Sequence, residues 1–280
     1  MTNEEKLNRV MSSLIGFAIG DAMGATTEFM KESEIKRIYG RVDHIVGGGW
    51  LNLTPGEVTD DTQMMMCVAE ACWDRNFLIG CCDRFQEWFR RGPKDVGGAC
   101  QEAIIHSCGK TPSGWMKASK DRQKASGYYS YGNGAVMRAL YPILLGKNTW
   151  AKDQGRLTHN NVISDRGIKL YAQTINLALK GEKPHFSQLP LLPLSPTGHV
   201  KNSVLNSIYW VSTTSDFREA ILKAVNHGGD ADTIAALTGG IAGALYGFEN
   251  IPQEWVSELD PHIVKRLREL ARKVFPGEGF

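Results

Sequence analysis

Residues Leu7–Met23 read LNRVMSSLIGFAIGDAM. Apolar or small residues stand at positions 10, 11, 14, 15, 18, 19 and 22, steps of three and four that fall on one side of a helix, and toward Met23 nearly every face is apolar. The spacing predicts a deeply buried helix. Gly16, Gly20 and Gly24 stand four apart along it, and Gly239, Gly243 and Gly247 repeat the interval in a second apolar segment. Glycine inside a helix costs up to about 1 kcal/mol relative to alanine, so these ridges need a compensating gain. We expect two helices whose backbones approach a neighbour closely, with each other as candidate partners.

Working outward, helical periodicity recurs at Asp60–Trp73, Leu78–Arg90, Asp95–Ser107, Ala135–Leu145, Asp165–Leu179, Val200–Ser212, Phe217–Val225, Thr233–Tyr246 and Pro261–Val274. Strand-like alternation is confined to a weak candidate, Arg41–Val46. The expected class is all-α. Glycine-rich connections at Gly47–Gly49, Leu53–Gly56 and Gly127–Gly134 lead into helices, and Pro184–Pro196 reads as a proline-rich loop. With no internal repeat, low-complexity segment or long linker, the expectation is one compact multi-helix domain over residues 1–280.

The 280 residues are 42% hydrophobic and 22% charged, enough for a large core. Lys and Arg number 32 against 30 Asp and Glu, a net charge of +2, which excludes a field strong enough to make nucleic acid or a membrane surface the main partner. The N-terminal MTNEEKLNRVMSS has no secretory pattern, and no apolar run reaches the roughly 18 residues of a membrane span. A cytoplasmic monomer with reduced cysteines is expected, since the six cysteines form no CxxC pair.

Two acidic clusters carry the chemistry. Thr59-Asp60-Asp61 opens the Met-rich segment Met64-Met65-Met66. One carboxylate in a first helical turn is an ordinary partner of the helix dipole, but two adjacent acids against buried methionines face repulsion and desolvation that a bound cation would offset. A second cluster, Gly228-Gly229-Asp230-Ala231-Asp232-Thr233, has the same grammar before another apolar helix. Asp and Thr oxygens are hard ligands suited to Mg²⁺, Mn²⁺ or Ca²⁺, while Ala235–Gly243 lacks the acids that a calcium loop of the EF-hand type requires. If the clusters face each other, their four carboxylates and two hydroxyls suffice for two divalent cations.

Four ordered motifs now stand out: Gly20-Asp21-Ala22-Met23-Gly24-Ala25 with Glu28; Gly56-Glu57-Val58-Thr59-Asp60-Asp61-Thr62-Gln63-Met64; Gly132-Asn133-Gly134-Ala135-Val136-Met137-Arg138; and Gly228–Thr233. Together they resemble the ADP-ribosylglycohydrolase family, most closely its dinitrogenase-reductase-activating branch. The resemblance implies an all-α fold with two Mg²⁺ or Mn²⁺ between helix N-termini, held by Thr59, Asp60, Asp61, Asp230, Asp232 and Thr233. It implies catalytic parts for Glu28, Asp95 and Asp60. Substrate contacts are implied for Gly132, Asn133, Gly134 and Ala135, which resemble a segment holding the pyrophosphate and distal ribose, and for His159 of the Thr158-His159 pair. His199 stands where the family has an aromatic residue on the adenine side, with Tyr128, Tyr129 and Tyr131 as other stackers.

The function implied is metal-dependent removal of ADP-ribose from a mono-ADP-ribosylated protein, with arginine as the favoured acceptor and ADP-ribose as product. Serine-linked ADP-ribose and O-acetyl-ADP-ribose are alternative substrates. An inactive ADP-ribose-binding protein, a binuclear phosphohydrolase and a protein inhibitor docking through Met1–Arg9 are the competing classes.

Overall fold

The computed structural model describes residues 2–126, 131–185 and 190–274. Along these, the helices are α1 (Asn3–Gly24), α2 (Glu32–Tyr39), α3 (Asp60–Ala71), α4 (Phe77–Arg90), α5 (Gly98–Ser107), α6 (Pro112–Ala125), α7 (Leu140–Leu144), α8 (Asn148–Arg156), α9 (Val162–Leu179), α10 (Val200–Thr213), α11 (Phe217–Val225), α12 (Ala231–Tyr246), α13 (Gln253–Glu258) and α14 (Pro261–Lys273). The fold is all-α: among the described residues extended pairing is limited to isolated bridges. No described helix is long and apolar enough to cross a membrane. The chain forms two compact units, one of Met1–Thr59, Gln173–Thr197 and Asn202–Phe280, the other of Asp60–Ala172 and Gly198–Lys201.

The first unit is built on the antiparallel pair α1 and α12, and the glycine ridges face each other. A Cβ on Gly16 would stand 2.5 Å from the Gly239 carbonyl oxygen, one on Gly20 2.0 Å from that of Ala235, one on Gly24 2.4 Å from that of Ala231, and one on Gly243 2.1 Å from that of Ser12. Side-chain atoms cannot occupy that space, so the two backbones are in direct contact. Buried hydroxyls bind the pair further, with Ser12 Oγ donating to Gly243 O at 2.6 Å and Ser13 Oγ to Gly240 O at 2.7 Å. Arg9 finishes the seam by donating to the terminal α12 carbonyls of Ala244 and Leu245 at 2.7 and 2.5 Å. Gly247 departs from the expectation: at φ +83° it ends α12 and is no part of the ridge.

Arg41–Val46 forms no strand. Its polar backbone is taken by side chains, the Asn226 amide pairing with both N–H and C=O of Val42, and the Glu258 carboxylate accepting from Ile45 N–H. A ladder therefore has nothing to pair with there.

The second unit corrects the expected helix at Ala135–Leu145. Residues 134–138 are turns and the helix begins at Leu140. Pro142 has no N–H for the carbonyl of Arg138 and its ring would collide with it, so a continuous helix is broken and Pro142 sits in the first turn of α7. Similarly α5 starts at Gly98, leaving Asp95 in a loop whose Gly97 N–H donates to Asp60 Oδ2 at 3.1 Å. Helix α6 escapes an apolar pattern because Trp115, Ser119 and Gln123 form its buried face. Its start was still legible as Thr111 before Pro112, a capping hydroxyl followed by proline in the first turn. All six cysteines are free, and burial pushes the thiols of Cys67, Cys72 and Cys82 up to about 12.

Candidate active site

In the first unit the chain leaves α1, turns through Ala25–Glu28 and is pinned to the loop before α12. Phe29 N–H donates to Gly229 O at 2.6 Å, and Gly229 N–H returns a bond to Met30 O at 2.8 Å. Both glycines are required: at φ +76° and +65°, a Cβ on Gly228 would meet Met30 O at 2.2 Å, and one on Gly229 would meet Pro196 O at 2.0 Å. Asp230 precedes α12, while Asp232 and Thr233 occupy its first turn.

This docking brings Glu28 to the Asp-x-Asp pair. Carboxylate oxygens of Glu28, Asp230 and Asp232 lie within 4.8 Å of one another, with Glu28 and Asp232 buried. The α12 N-terminus offsets part of the charge, yet three converging carboxylates with buried members repel unless a cation or protons intervene. An all-oxygen donor set of this kind fits a hard divalent ion such as Mg²⁺ or Mn²⁺. Trp50 Nε1–H donates to Glu28 Oε2 at 2.5 Å, and Ser203 Oγ–H donates to Asp230 Oδ2 at 3.4 Å.

Thr59 is oriented by a residue to which the sequence reading assigned no role. The fully buried Asp21 of α1 accepts from Thr59 N–H at 3.1 and 3.2 Å and from Thr59 Oγ1–H at 2.8 Å. The available signal was an acid inside the apolar run Leu14–Met23, since a charge with no function there would be expelled.

In the second unit Asp60 and Asp61 are buried at the start of α3. The structure brings Asp95 to Asp60. Burial raises the Asp95 pKa, opposed by hydrogen bonds from the Val96 backbone and with the Asp60 side chain. The buried Tyr171 phenol is pushed up by burial first and by the nearby Asp61 charge second.

The glycine loop of this unit gathers Gly132, Asn133, Gly134, His159 and His199. Asn133 N–H donates to Gly198 O at 3.0 Å and Val200 N–H to Tyr131 O at 2.8 Å, tying the loop to the segment carrying His199. Tyr131 meets the half-buried His199 ring edge-on at 5.6 Å. The expected anion cradle is thus a turn rather than a helix start, and the Asn133 amide is committed inside the protein. Gly127, Tyr128 and Tyr129 lie outside the described residues.

His159 is buried behind this loop rather than displayed beside it. A Cβ on Gly132 would stand 3.1 Å from its Nε2, and one on Gly134 2.9 Å from its Cε1 and from Cys100 Sγ, so the imidazole packs directly against both glycines. Burial first, then the Arg138 and Arg122 charges, lower its pKa to about 3 and keep it neutral. Arg138, fully buried, is the hub: it donates to Gly134 O at 2.6 Å, to Gln154 Oε1 and O at 2.6 and 3.1 Å, and to Thr158 Oγ1 at 2.7 Å, and its guanidinium lies 4.8 Å from the Phe85 ring centroid. Thr158 Oγ1 is 2.7 Å from His159 Nδ1. Arg138 therefore builds the loop and is spent on neutral acceptors.

Residues 2–192 and 187–279 match a family model described as ADP-ribosylglycohydrolase. The ADP-ribosyl-[dinitrogen reductase] glycohydrolase of Rhodospirillum rubrum is 32% identical over 296 residues, covering 96% of each chain. The ADP-ribosylarginine hydrolase Tri1 of Pseudomonas putida (strain GB-1) is 29% identical over 301 residues, 96% of this chain and 80% of that one. The ADP-ribosylhydrolase ARH3 of Mus musculus is 22% identical over 324 residues, 89% and 86% of the two chains. A solved structure titled "ADP-ribosylglycohydrolase-related protein complex" superposes with a TM-score of 0.78 at 26% identity, over 97% of this chain and 98% of that one.

Proposed function

This chain belongs to the ADP-ribosylglycohydrolase family, and on that premise we propose that it hydrolyses the bond between ADP-ribose and an arginine side chain of a modified protein, using divalent cations. The observation that carries the reading is the convergence of Glu28, Asp230 and Asp232 to within 4.8 Å. Arginine as acceptor is supported by relatives named for dinitrogen reductase and ADP-ribosylarginine at 32% and 29% identity, against 22% for the ARH3 type.

In this reading Thr59, Asp60, Asp61, Asp230, Asp232 and Thr233 are the ligands of two cations, Mg²⁺ or Mn²⁺, and Asp21 holds the Thr59 hydroxyl in place. When bound, such ions supply Lewis-acid polarisation of ribose hydroxyls and of water. The bond broken joins the anomeric ribose carbon to a guanidine nitrogen; a water oxygen replaces the nitrogen, and one water proton ends on the departing guanidine. Glu28 or Asp95 carries that proton, each being a carboxyl inside its acidic group. Gly132, Asn133, Gly134 and Ala135 line the phosphate side, with the His199 ring beside the base and His159 fixing the loop from behind.

The test is release of ADP-ribose from an arginine-ADP-ribosylated protein, with Mg²⁺, with chelator, and with Asp60→Ala and Asp232→Ala variants. Metal-dependent release that disappears in both variants is expected. Release from serine-linked ADP-ribose alone would move the acceptor. ADP-ribose binding with no release from any substrate would reduce the chain to a binding protein.

A further inference from the structure

Next to the Glu28 carboxylate the first unit displays two large aromatic side chains to solvent. Phe29 is 67% exposed and Trp50 54%, and their ring centroids are 5.4 Å apart at a 49° tilt. A single exposed aromatic needs no explanation. A pair in contact, held by a built framework against an acidic cluster, does.

The framework is explicit. Gly48 and Leu53 exchange two backbone hydrogen bonds of 2.7 and 2.9 Å, and Asn52 N–H closes the turn on Gly49 O at 3.1 Å, so Trp50 and Leu51 form the tip of a tight loop. Its base is fixed to the turn after α1: Thr26 Oγ1 donates to Gly47 O at 3.0 Å, and Gly49 lies so near Ala25 that a Cβ would stand 2.2 Å from the Ala25 oxygen. Phe29 has φ +62°, a conformation unfavourable for an aromatic residue, retained by its 2.6 Å bond to Gly229 O. The Trp50 indole N–H then reaches Glu28 Oε2.

We infer that Phe29 and Trp50, with the Glu28 carboxylate, form the subsite for the acceptor side chain, and that its occupant is the planar guanidinium of the modified arginine. This rests on the hydrolase reading above and specifies its acceptor. A guanidinium is flat, weakly hydrated and positively charged. It stacks on aromatic faces while donating in its plane to a carboxylate, and the exposed π surfaces of Phe29 and Trp50 beside the Glu28 carboxylate supply both interactions. A serine hydroxyl or an acyl ester gains neither, so the pair discriminates between acceptors instead of holding the ADP-ribose common to all of them.

The experiment measures KM and kcat on an ADP-ribosyl-arginine peptide, and the Kd of free ADP-ribose, for wild type, Phe29→Asn and Trp50→Ala. Asparagine tolerates positive φ, so Phe29→Asn removes the ring while leaving the backbone and the Trp50–Glu28 bond intact; thermal melts verify that both variants are folded. The expected result is a KM raised about tenfold in each variant, with the ADP-ribose Kd changed by less than about twofold. A KM unchanged in Phe29→Asn overturns the subsite, and a parallel loss of ADP-ribose affinity overturns it by placing the pair on the ADP-ribose side. If the wild type itself leaves the arginine linkage intact, the acceptor reading has failed and the subsite with it. Failure of the variants alone, on an active wild type, sinks only the subsite.

Discussion

Asp21 and Thr59 are joined twice: one carboxylate accepts both the backbone N–H and the side-chain hydroxyl of Thr59, in a fully buried setting. Because the hydroxyl proton is spent on Asp21, the lone pairs of Thr59 Oγ1 face elsewhere, which is the orientation a cation ligand needs. In the proposed ligand set, a group that orients a metal ligand in this way typically sets metal affinity by about ten- to a hundredfold.

The first prediction concerns this pair. Asp21→Asn places an amide against the Thr59 donors, and loss of buried hydrogen bonds should destabilise the protein by about 2 kcal/mol. The Mg²⁺ concentration giving half-maximal activity should rise about tenfold or more, measured by titrating activity against free Mg²⁺ beside urea melts. A variant with unchanged Mg²⁺ dependence would show that Asp21 only fills the core.

The second concerns the seam of α1 and α12. In Gly20→Ala the new methyl meets the Ala235 carbonyl at 2.0 Å, a backbone atom that no rotamer change can move aside. Overpacking of this kind should cost about 3 kcal/mol or more, read as a lower urea midpoint. Gly98→Ala is the control: it begins α5, has no atom within 4 Å of the new Cβ, and should change stability by less than about 1 kcal/mol. A Gly20→Ala loss no larger than that of the control would mean that close backbone contact does not set the glycine ridge.

The third is a pH dependence. An exposed imidazole protonates near 6.5, whereas His159 in the folded chain does so only at about 3. The folded state thus favours the neutral ring. The stability gained is complete above pH 6.5 and is lost as pH falls toward 3, adding a slope of up to about 1.4 kcal/mol per pH unit. His159→Gln should flatten the stability profile between pH 6.5 and 4. A profile that keeps its steepness would assign acid sensitivity to other groups.

Much of the candidate site was legible because its signals are local. Thr59-Asp60-Asp61 and Asp230-Ala231-Asp232-Thr233 each stand at the head of an apolar helix, and a short string of residues states both the charge and the burial that conflict with it. The helix expected at Ala135–Leu145 was misjudged because apolar content outweighed a single Pro142, whose missing N–H acts on the carbonyl of residue 138. Arg138 illustrates another limit: an arginine after a glycine loop has the charge for phosphate, and only its fivefold engagement with Gly134, Gln154, Thr158 and Cys100 shows that the charge is turned inward.

What the sequence by itself determined was the all-α class, the courses of the main helices, the glycine seam of α1 and α12, and the acidic clusters with their family. Each is written in spacings of a few residues, and residues three or four apart in a helix share a face whatever the rest of the chain does. What only the tertiary structure decided was the company each site residue keeps: Glu28 with Asp230 and Asp232, Asp21 under Thr59, His159 behind Gly132 and Gly134, and Trp50 against Glu28. Those side chains leave from loops and helix ends, where direction follows from how distant segments dock, and no periodicity of the chain encodes that docking.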